Sequence, residues 1–260
     1  MSAITTDLAE ELSTVRRPGD FFTFGTAEIL APRLEVDGVG VIALPLLAVQ
    51  AAELVAVAER APYGRGADTL IDTDVRRTWQ ISAGRVHIGG KHWAATLAAV
   101  LARVAEGLGV GEPIAAELYK LLVYDQGSFF VSHRDTEKVP GMFATLVFAL
   151  PSVSTGGELV IRHKDREARL DLKCEEPSEA AFAAFYADCV HEVLPVTSGC
   201  RLTMVFNLLR KGKGPKPEPP SYAAEQARVT ALLGAWAGAK RGGDEDAPEK
   251  LIYPLEHAYT

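Results

Sequence analysis

The chain has 260 residues, 48% of them hydrophobic, with a formal net charge of −7. That length buries one sizeable core, or one core with a small appended region, and the composition is that of an ordinary soluble globular domain. The negative balance gives no electrostatic reason to expect nucleic acid or an acidic membrane as partner, since both favour clustered Lys and Arg. Cys174, Cys189 and Cys200 are odd in number, Met1 to Arg17 contains no apolar leader, and no stretch approaches the roughly 20 apolar residues that span a bilayer. A cytoplasmic location is the expectation.

Residues 1–20 read as a flexible N-terminus ending at Arg17-Pro18-Gly19-Asp20. Strand-like segments follow at Phe21–Phe24, Leu34–Asp37 and Gly40–Leu44. Pro45 opens an Ala- and Leu-rich stretch to about Arg60 that predicts a helix, with proline in the first turn where its missing N–H costs least. Pro62–Gly66 breaks it. Residues 75–88 are β-rich, and Trp93–Leu108 predicts a second helix, stopped by Gly109 and Gly111.

From Ile114 the texture changes to short apolar or alternating runs separated by Gly, Pro, Ser and charged clusters. They are Ala116–Tyr124, Phe129–Ser132, Phe143–Leu150, Glu158–Arg162, Ala168–Leu172, Ala181–Tyr186, Val190–Val196 and Arg201–Leu209. Strands at this spacing predict a mainly β fold with flanking helices. Its core would be a double-stranded β-helix (jelly roll) over about 114–210, with the N-terminal helices packed on it. Lys211 to Pro220 has linker composition. A helix is expected at Ala223–Ala237, and a polar stretch then leads to Leu251-Ile252-Tyr253-Pro254. The expected division is therefore 1–20, a domain at 21–210, and a linker, helix and tail at 211–260, with a further region beyond Thr260 left open.

The chemistry centres on His133-Arg134-Asp135 and His191. Two imidazoles and a carboxylate can occupy one face of an octahedral iron and leave three positions open. In a strand, residues two apart project to the same side, so the H-x-D spacing delivers two ligands together. A surface histidine beside a charge is the plainer reading of His133 alone. His191 lies in the alternating run Cys189–Val193. In Arg201–Asn207 the odd positions are Arg201, Thr203, Val205 and Asn207 and the even ones are Leu202, Met204 and Phe206, so one face seeks a core while the other can line a polar cavity. A buried arginine is costly unless a carboxylate meets it in a bidentate pair; a surface Arg beside an acidic neighbour is the alternative.

Together these residues resemble the 2-oxoglutarate/Fe(II) oxygenase superfamily, in its prolyl-hydroxylase-like branch. The family pattern Y-x-x-G-x-x-(F/Y)-x-x-H-x-D reads here as Tyr124, Gly127, Phe130, His133 and Asp135. Gly156-Gly157-Glu158 resembles the family's G-G-E turn, and His191 with Arg201 matches the distal histidine and its following cation. The resemblance covers roughly residues 114–209. It implies Fe(II) held by His133, Asp135 and His191, 2-oxoglutarate clamped through its distal carboxylate by Arg201, dioxygen as oxidant and ascorbate as an optional reductant. Tyr124 would touch the co-substrate through its hydroxyl unless it is a core aromatic on an inner strand, and Thr203 and Asn207 would line the pocket unless they are satisfied strand polars.

The resemblance also implies hydroxylation of an unactivated C–H bond with release of succinate and CO2. The carboxylate of Asp135 argues against halogenation, which needs a small residue there. A protein or peptide side chain is the first expectation for substrate, and a free amino acid or small metabolite the second. Nucleic-acid dealkylation is disfavoured because position 207 is Asn where that branch has a second Arg. Tyr63–Asp74 and Thr136–Met142 are candidate substrate loops. Arg76, Arg77 and Trp79 are candidate substrate contacts, although an exposed strand face explains them equally. Two readings from other classes remain: a catalytically silent, metal-dependent binding module, and a structural zinc site at Cys189, His191 and Cys200.

Overall fold

The computed structural model describes residues 3–15, 19–65, 68–135, 137–211, 217–244 and 247–252. By contact the chain divides into two compact units, residues 18–219 and residues 1–17 with 220–260.

The larger unit is built on two antiparallel sheets. Their strands in chain order are β1 (Phe22–Glu28), β2 (Glu59–Arg60), β3 (Arg76–Arg77), β4 (Trp79–Ser82), β5 (Ile114–Tyr124), β6 (Phe129–His133), β7 (Met142–Leu150), β8 (Leu159–His163), β9 (Arg166–Leu170), β10 (Glu179–Tyr186), β11 (Val190–Val193) and β12 (Arg201–Arg210). The seven-stranded sheet has the order β1-β10-β7-β12-β5-β4-β2, and the five-stranded sheet β9-β8-β11-β6-β3. From β5 onward the chain alternates between the sheets except at the β8–β9 hairpin, which stays in the smaller one, as in a jelly roll. Smaller sheets join Gly40–Ile42, Arg33–Val36 and Val86–Gly89, Ser154–Gly156 with Val196–Gly199, and Tyr63–Arg65 with Asp68–Leu70.

The core explains the strand composition. β7 and β10 sit near the middle of the larger sheet and read as continuous apolar runs, with Phe143, Phe148, Phe182 and Phe185 among the largest fully buried side chains. One face of each packs outward against α3 (Trp93–Leu108): Trp93 meets Phe148 edge-on at 5.7 Å, and Val100, Val104 and Leu108 are buried. Tyr186 closes this layer by donating its hydroxyl to the Leu108 carbonyl at 2.7 Å. Gly109, at φ 71°, ends α3 in the left-handed conformation that glycine adopts without a Cβ penalty.

Three expectations need correction. The first twenty residues are not simply a flexible entry: α1 spans Ala3–Thr14. Ile4, Thr5, Leu8, Glu11 and Leu12 are its half-buried positions, a helical stripe. In the smaller unit this helix packs with α4 (Ala223–Arg241), where Arg228 pairs with Glu11 at 2.5 Å. That partner lies more than 200 residues away in sequence, which hid it from local reading. Second, α2 runs only over Ala48–Val57, so Pro45 precedes the helix instead of occupying its first turn. Glu59–Arg60 leaves the helix to pair with β4 at the sheet edge. Third, Val190–Val196 divides into β11 and a separate strand from Val196, with Leu194 and Pro195 between them. Tyr253 onward, including the end of the expected apolar tail, lies outside the described residues, as do Thr136 and residues 66–67 of the candidate loops.

Candidate active site

Strand pairing brings the separated motif residues together. His133 ends β6 directly opposite His191 on β11, and their rings lie 4.1 Å apart between centroids. Asp135 is not on the strand, as the H-x-D spacing suggested, but two residues past His133 beyond its end. Its position is fixed from the other sheet, where Thr145 on β7 donates its hydroxyl to Asp135 Oδ2 at 2.6 Å. The candidate ligand atoms of His133, Asp135 and His191 all fall within 4.8 Å of one another, and they form the only such group among the described residues. Cys189 and Cys200 are outside it, so the structural zinc reading falls: the Cys189 thiol faces the Phe21 carbonyl instead.

The donor set fits a divalent iron. His133 Nδ1 lies 2.8 Å from the Val131 carbonyl and His191 Nδ1 3.2 Å from the Cys189 carbonyl. A carbonyl accepts only from an N–H, so Nδ1 carries the proton and Nε2 of each ring is free to ligate. Phe130 stacks on His133 at 3.5 Å and Phe185 packs on His191 at 4.4 Å, holding the ring planes. Burial, the neighbouring His191 and Arg76 push His133 down to about 3, against weaker opposition from the Val131 carbonyl and Asp135. Burial likewise lowers His191. Burial alone would raise the Asp135 carboxyl, but His191, the Thr145 hydroxyl and His133 outweigh it and hold it below the ordinary value. The site therefore offers two neutral imidazoles and a carboxylate at neutral pH, the protonation states a metal needs.

A cavity of about 360 Å³ opens beside these ligands, lined from both sheets. Small-molecule sites generally fall between about 300 and 1,000 Å³. Arg201, Thr203, Val205 and Asn207 all line it, whereas Leu202, Met204 and Phe206 enter the hydrophobic core. Tyr124 also lines the cavity, paired in register with Arg201.

Arg201 is only 5% exposed and is braced from behind. Its Nη1 donates to the Gly157 carbonyl and its Nη2 to the Gly156 carbonyl, while Nε is buried without a partner. The G-G turn explains the brace. Gly156 and Gly157 both have positive φ, and a Cβ on Gly157 would stand 2.8 Å from Val196 and 3.0 Å from Arg201 Nη2. With two of its five N–H groups used, the guanidinium keeps donors for a carboxylate. Thr203 Oγ1 beside it is likewise buried and unpartnered. These orphaned donors are what a 2-oxoglutarate carboxylate would satisfy.

Of the candidate substrate contacts only Arg76 lines the cavity. Arg77 is exposed, and Trp79 is engaged by Asp125 through its indole N–H at 3.1 Å and by Arg60 over its ring. Thr145 and Lys120 were missed from sequence. Lys120 had a legible signal: it alternates with Leu122 and Tyr124 on β5, so all three share one face.

The arrangement is two imidazoles and a carboxylate that could hold one metal ion, with a buried arginine lining the adjacent cavity, on a jelly roll. Residues 119–209 match the family model of the 2OG-Fe(II) oxygenase superfamily, and that segment carries every element of the site just described except Arg76. The matched segment belongs to that superfamily, so the enzyme is a 2-oxoglutarate-dependent dioxygenase using Fe(II), 2-oxoglutarate and O2.

No curated protein matches the chain. Among solved structures, a Pseudomonas putida prolyl-4-hydroxylase is similar at 18% identity over 80% of this chain and 100% of that one, with a TM-score of 0.43. A prolyl hydroxylase from Trichoplax adhaerens, in complex with a hypoxia inducible factor peptide fragment, is similar at 14% over 80% and 90%, TM-score 0.43. An oxidoreductase of the 2OG-Fe(II) oxygenase family from Burkholderia pseudomallei is similar at 16% over 82% and 94%, TM-score 0.39. Among the described residues no helix is long and apolar enough to cross a membrane.

Proposed function

We propose that His133, Asp135 and His191 hold Fe(II), that Arg201 holds the distal carboxylate of 2-oxoglutarate, and that the enzyme hydroxylates an unactivated C–H bond. The observation that carries this reading is the meeting of three ligand atoms within 4.8 Å beside one cavity that also contains the braced, donor-rich Arg201. Bound iron and 2-oxoglutarate supply the oxidising chemistry: O2 delivers one oxygen atom to a substrate C–H bond, giving C–OH, and the other to the co-substrate, which becomes succinate and CO2.

The protein's own residues set the geometry. The Val131 and Cys189 carbonyls keep Nε2 of each histidine deprotonated and directed to the ligand cluster. Thr145 fixes the Asp135 carboxylate, and Arg201, fixed by Gly156 and Gly157, orients the co-substrate from its far end. Val147, Leu159, Phe185 and Val193 form apolar wall that limits water near the oxidised carbon.

For the substrate, a peptide side chain is the expectation drawn from the family pattern. The burial of Arg76 and Lys120 in the same cavity favours the second reading, a small carboxylate-bearing molecule.

The first experiment measures binding of Fe(II) and 2-oxoglutarate to anaerobic protein, then succinate formation on adding oxygen. Binding of both, with turnover lost in His133→Ala and Arg201→Ala, is expected. Failure to bind both ligands would sink the oxygenase reading and leave the metal-dependent binding module.

A further inference from the structure

Besides Arg201, the cavity contains two buried cations that its metal and co-substrate do not account for. Arg76 on β3 is 6% exposed and Lys120 on β5 is 8% exposed. Arg76 stacks over Phe130 at 4.2 Å and donates Nη1 to the Pro62 carbonyl at 2.9 Å, but its Nε is buried with no partner. Lys120 has one hydrogen bond, to Gln80 Oε1 at 3.1 Å, and lies over the Tyr119 ring. Neither has a carboxylate within 4.0 Å among the described residues, and Asp135 is the only acid among the described lining residues. Burial pulls the Arg76 guanidinium below its ordinary value, yet an arginine stays protonated in a protein.

The charges do not balance without another anion. Iron(II) with Arg76, Arg201 and Lys120 brings five positive charges, whereas Asp135 and the 2-oxoglutarate dianion bring three negative ones. With Lys120 neutral the excess is still one. A buried, uncompensated guanidinium is costly, and a planar carboxylate is the group that meets it edge-on through two parallel hydrogen bonds. An internal residue of a peptide chain offers only neutral amides here.

We propose that Arg76, supported by Lys120, binds the carboxylate of the primary substrate, so that the enzyme acts on a free carboxylic acid such as an unblocked amino acid. This rests on the oxygenase reading, because it assigns Arg201 to the co-substrate and leaves Arg76 for the molecule being oxidised. Tyr124 lines the same cavity as both arginines and pairs in register with Arg201, on the strand that also carries Lys120.

The test loads anaerobic protein with Fe(II) and saturating 2-oxoglutarate, measures both bindings by calorimetry, and then titrates the probes. These are the free L-amino acids, the same molecules as carboxamides, and a proline-containing peptide blocked at both ends. At least one free acid should bind saturably and its carboxamide about 100-fold more weakly, the usual scale for losing one partner of a buried charge pair. Arg76→Met should abolish that discrimination while leaving 2-oxoglutarate affinity within about twofold. Arg76→Lys, which keeps the charge, should restore part of it and controls for a folding defect. The proposal is overturned if acid and amide bind alike, if the blocked peptide binds more tightly than every acid, if no probe binds the loaded protein, or if Arg76→Met leaves acid binding intact. Failure of the initial Fe(II) and 2-oxoglutarate titrations would instead bring down the oxygenase reading beneath it.

Discussion

Replacing Lys120 with methionine should stabilise the metal-free protein, and by an amount that shrinks as pH rises. Burial, Arg76 and Lys138 drive the Lys120 ammonium down to about 7, against weaker support from Asp135 and Glu59. An unfolded lysine titrates near 10.4. Between those values the unfolded chain binds more protons than the folded one, so wild-type stability rises with pH across that window. Below pH 7 the buried ammonium costs on the order of 4 kcal/mol, from roughly three pKa units at 1.36 kcal/mol each. By linkage that cost falls by about 2 kcal/mol between pH 7 and pH 9. Methionine has similar reach and no charge to desolvate, and every other titrating group is common to both proteins. Urea unfolding in chelator at pH 7, 8 and 9 should therefore give a stability gap, variant minus wild type, that narrows by about 2 kcal/mol. A gap that stays constant with pH would refute the account of Lys120 as a desolvated cation.

Two further outcomes test the site directly. Arg201→Ala should weaken 2-oxoglutarate binding by about 100-fold or more, read by calorimetry, and should also cost about 1–3 kcal/mol of stability by stranding the Gly156 and Gly157 carbonyls. Thr145→Val removes the 2.6 Å bond to Asp135 without altering shape, and metal affinity, measured with Mn(II) as probe, should fall about 10–100-fold.

Residues joined by a periodic pattern were the legible ones. The alternation in Arg201–Asn207 separated cavity from core residue by residue, since Leu202, Met204 and Phe206 are buried in the core while their neighbours line the cavity. The Trp93–Leu108 helix and its Gly109 stop were equally readable, because the cap and the apolar stripe are both local. What escaped depends on contacts between distant segments. Nothing near Thr145 in sequence indicates that Asp135, ten residues earlier, would find its hydroxyl across the sheets. Arg76 and Arg77 are adjacent and chemically identical, yet strand pairing with Phe129 and Phe130 buries the first and exposes the second. The choice follows from register, and β3 is too short to declare its register through hydrophobic alternation.

Asp135 then has a role beyond the metal ligation proposed for it. Removing a buried carboxylate from an empty metal site commonly relieves a strained cluster of like charges. Here the neighbours are cations: Asp135 favours the charged forms of both Arg76 and Lys120, and no other acid lines the described cavity. Asp135→Asn preserves shape and leaves an amide oxygen to accept from Thr145, so it isolates the charge. The metal-free variant should be less stable than wild type by about 1–3 kcal/mol at pH 7, the scale of a buried charged group losing its counterpart. The loss should be smaller when Lys120→Met is present, since one of the two cations is then gone. Equal losses in the two backgrounds would mean that Asp135 and Lys120 do not interact through the cavity. An asparagine variant as stable as wild type would mean that the cations are not destabilising each other at all, and would remove the charge imbalance on which an acidic substrate was inferred.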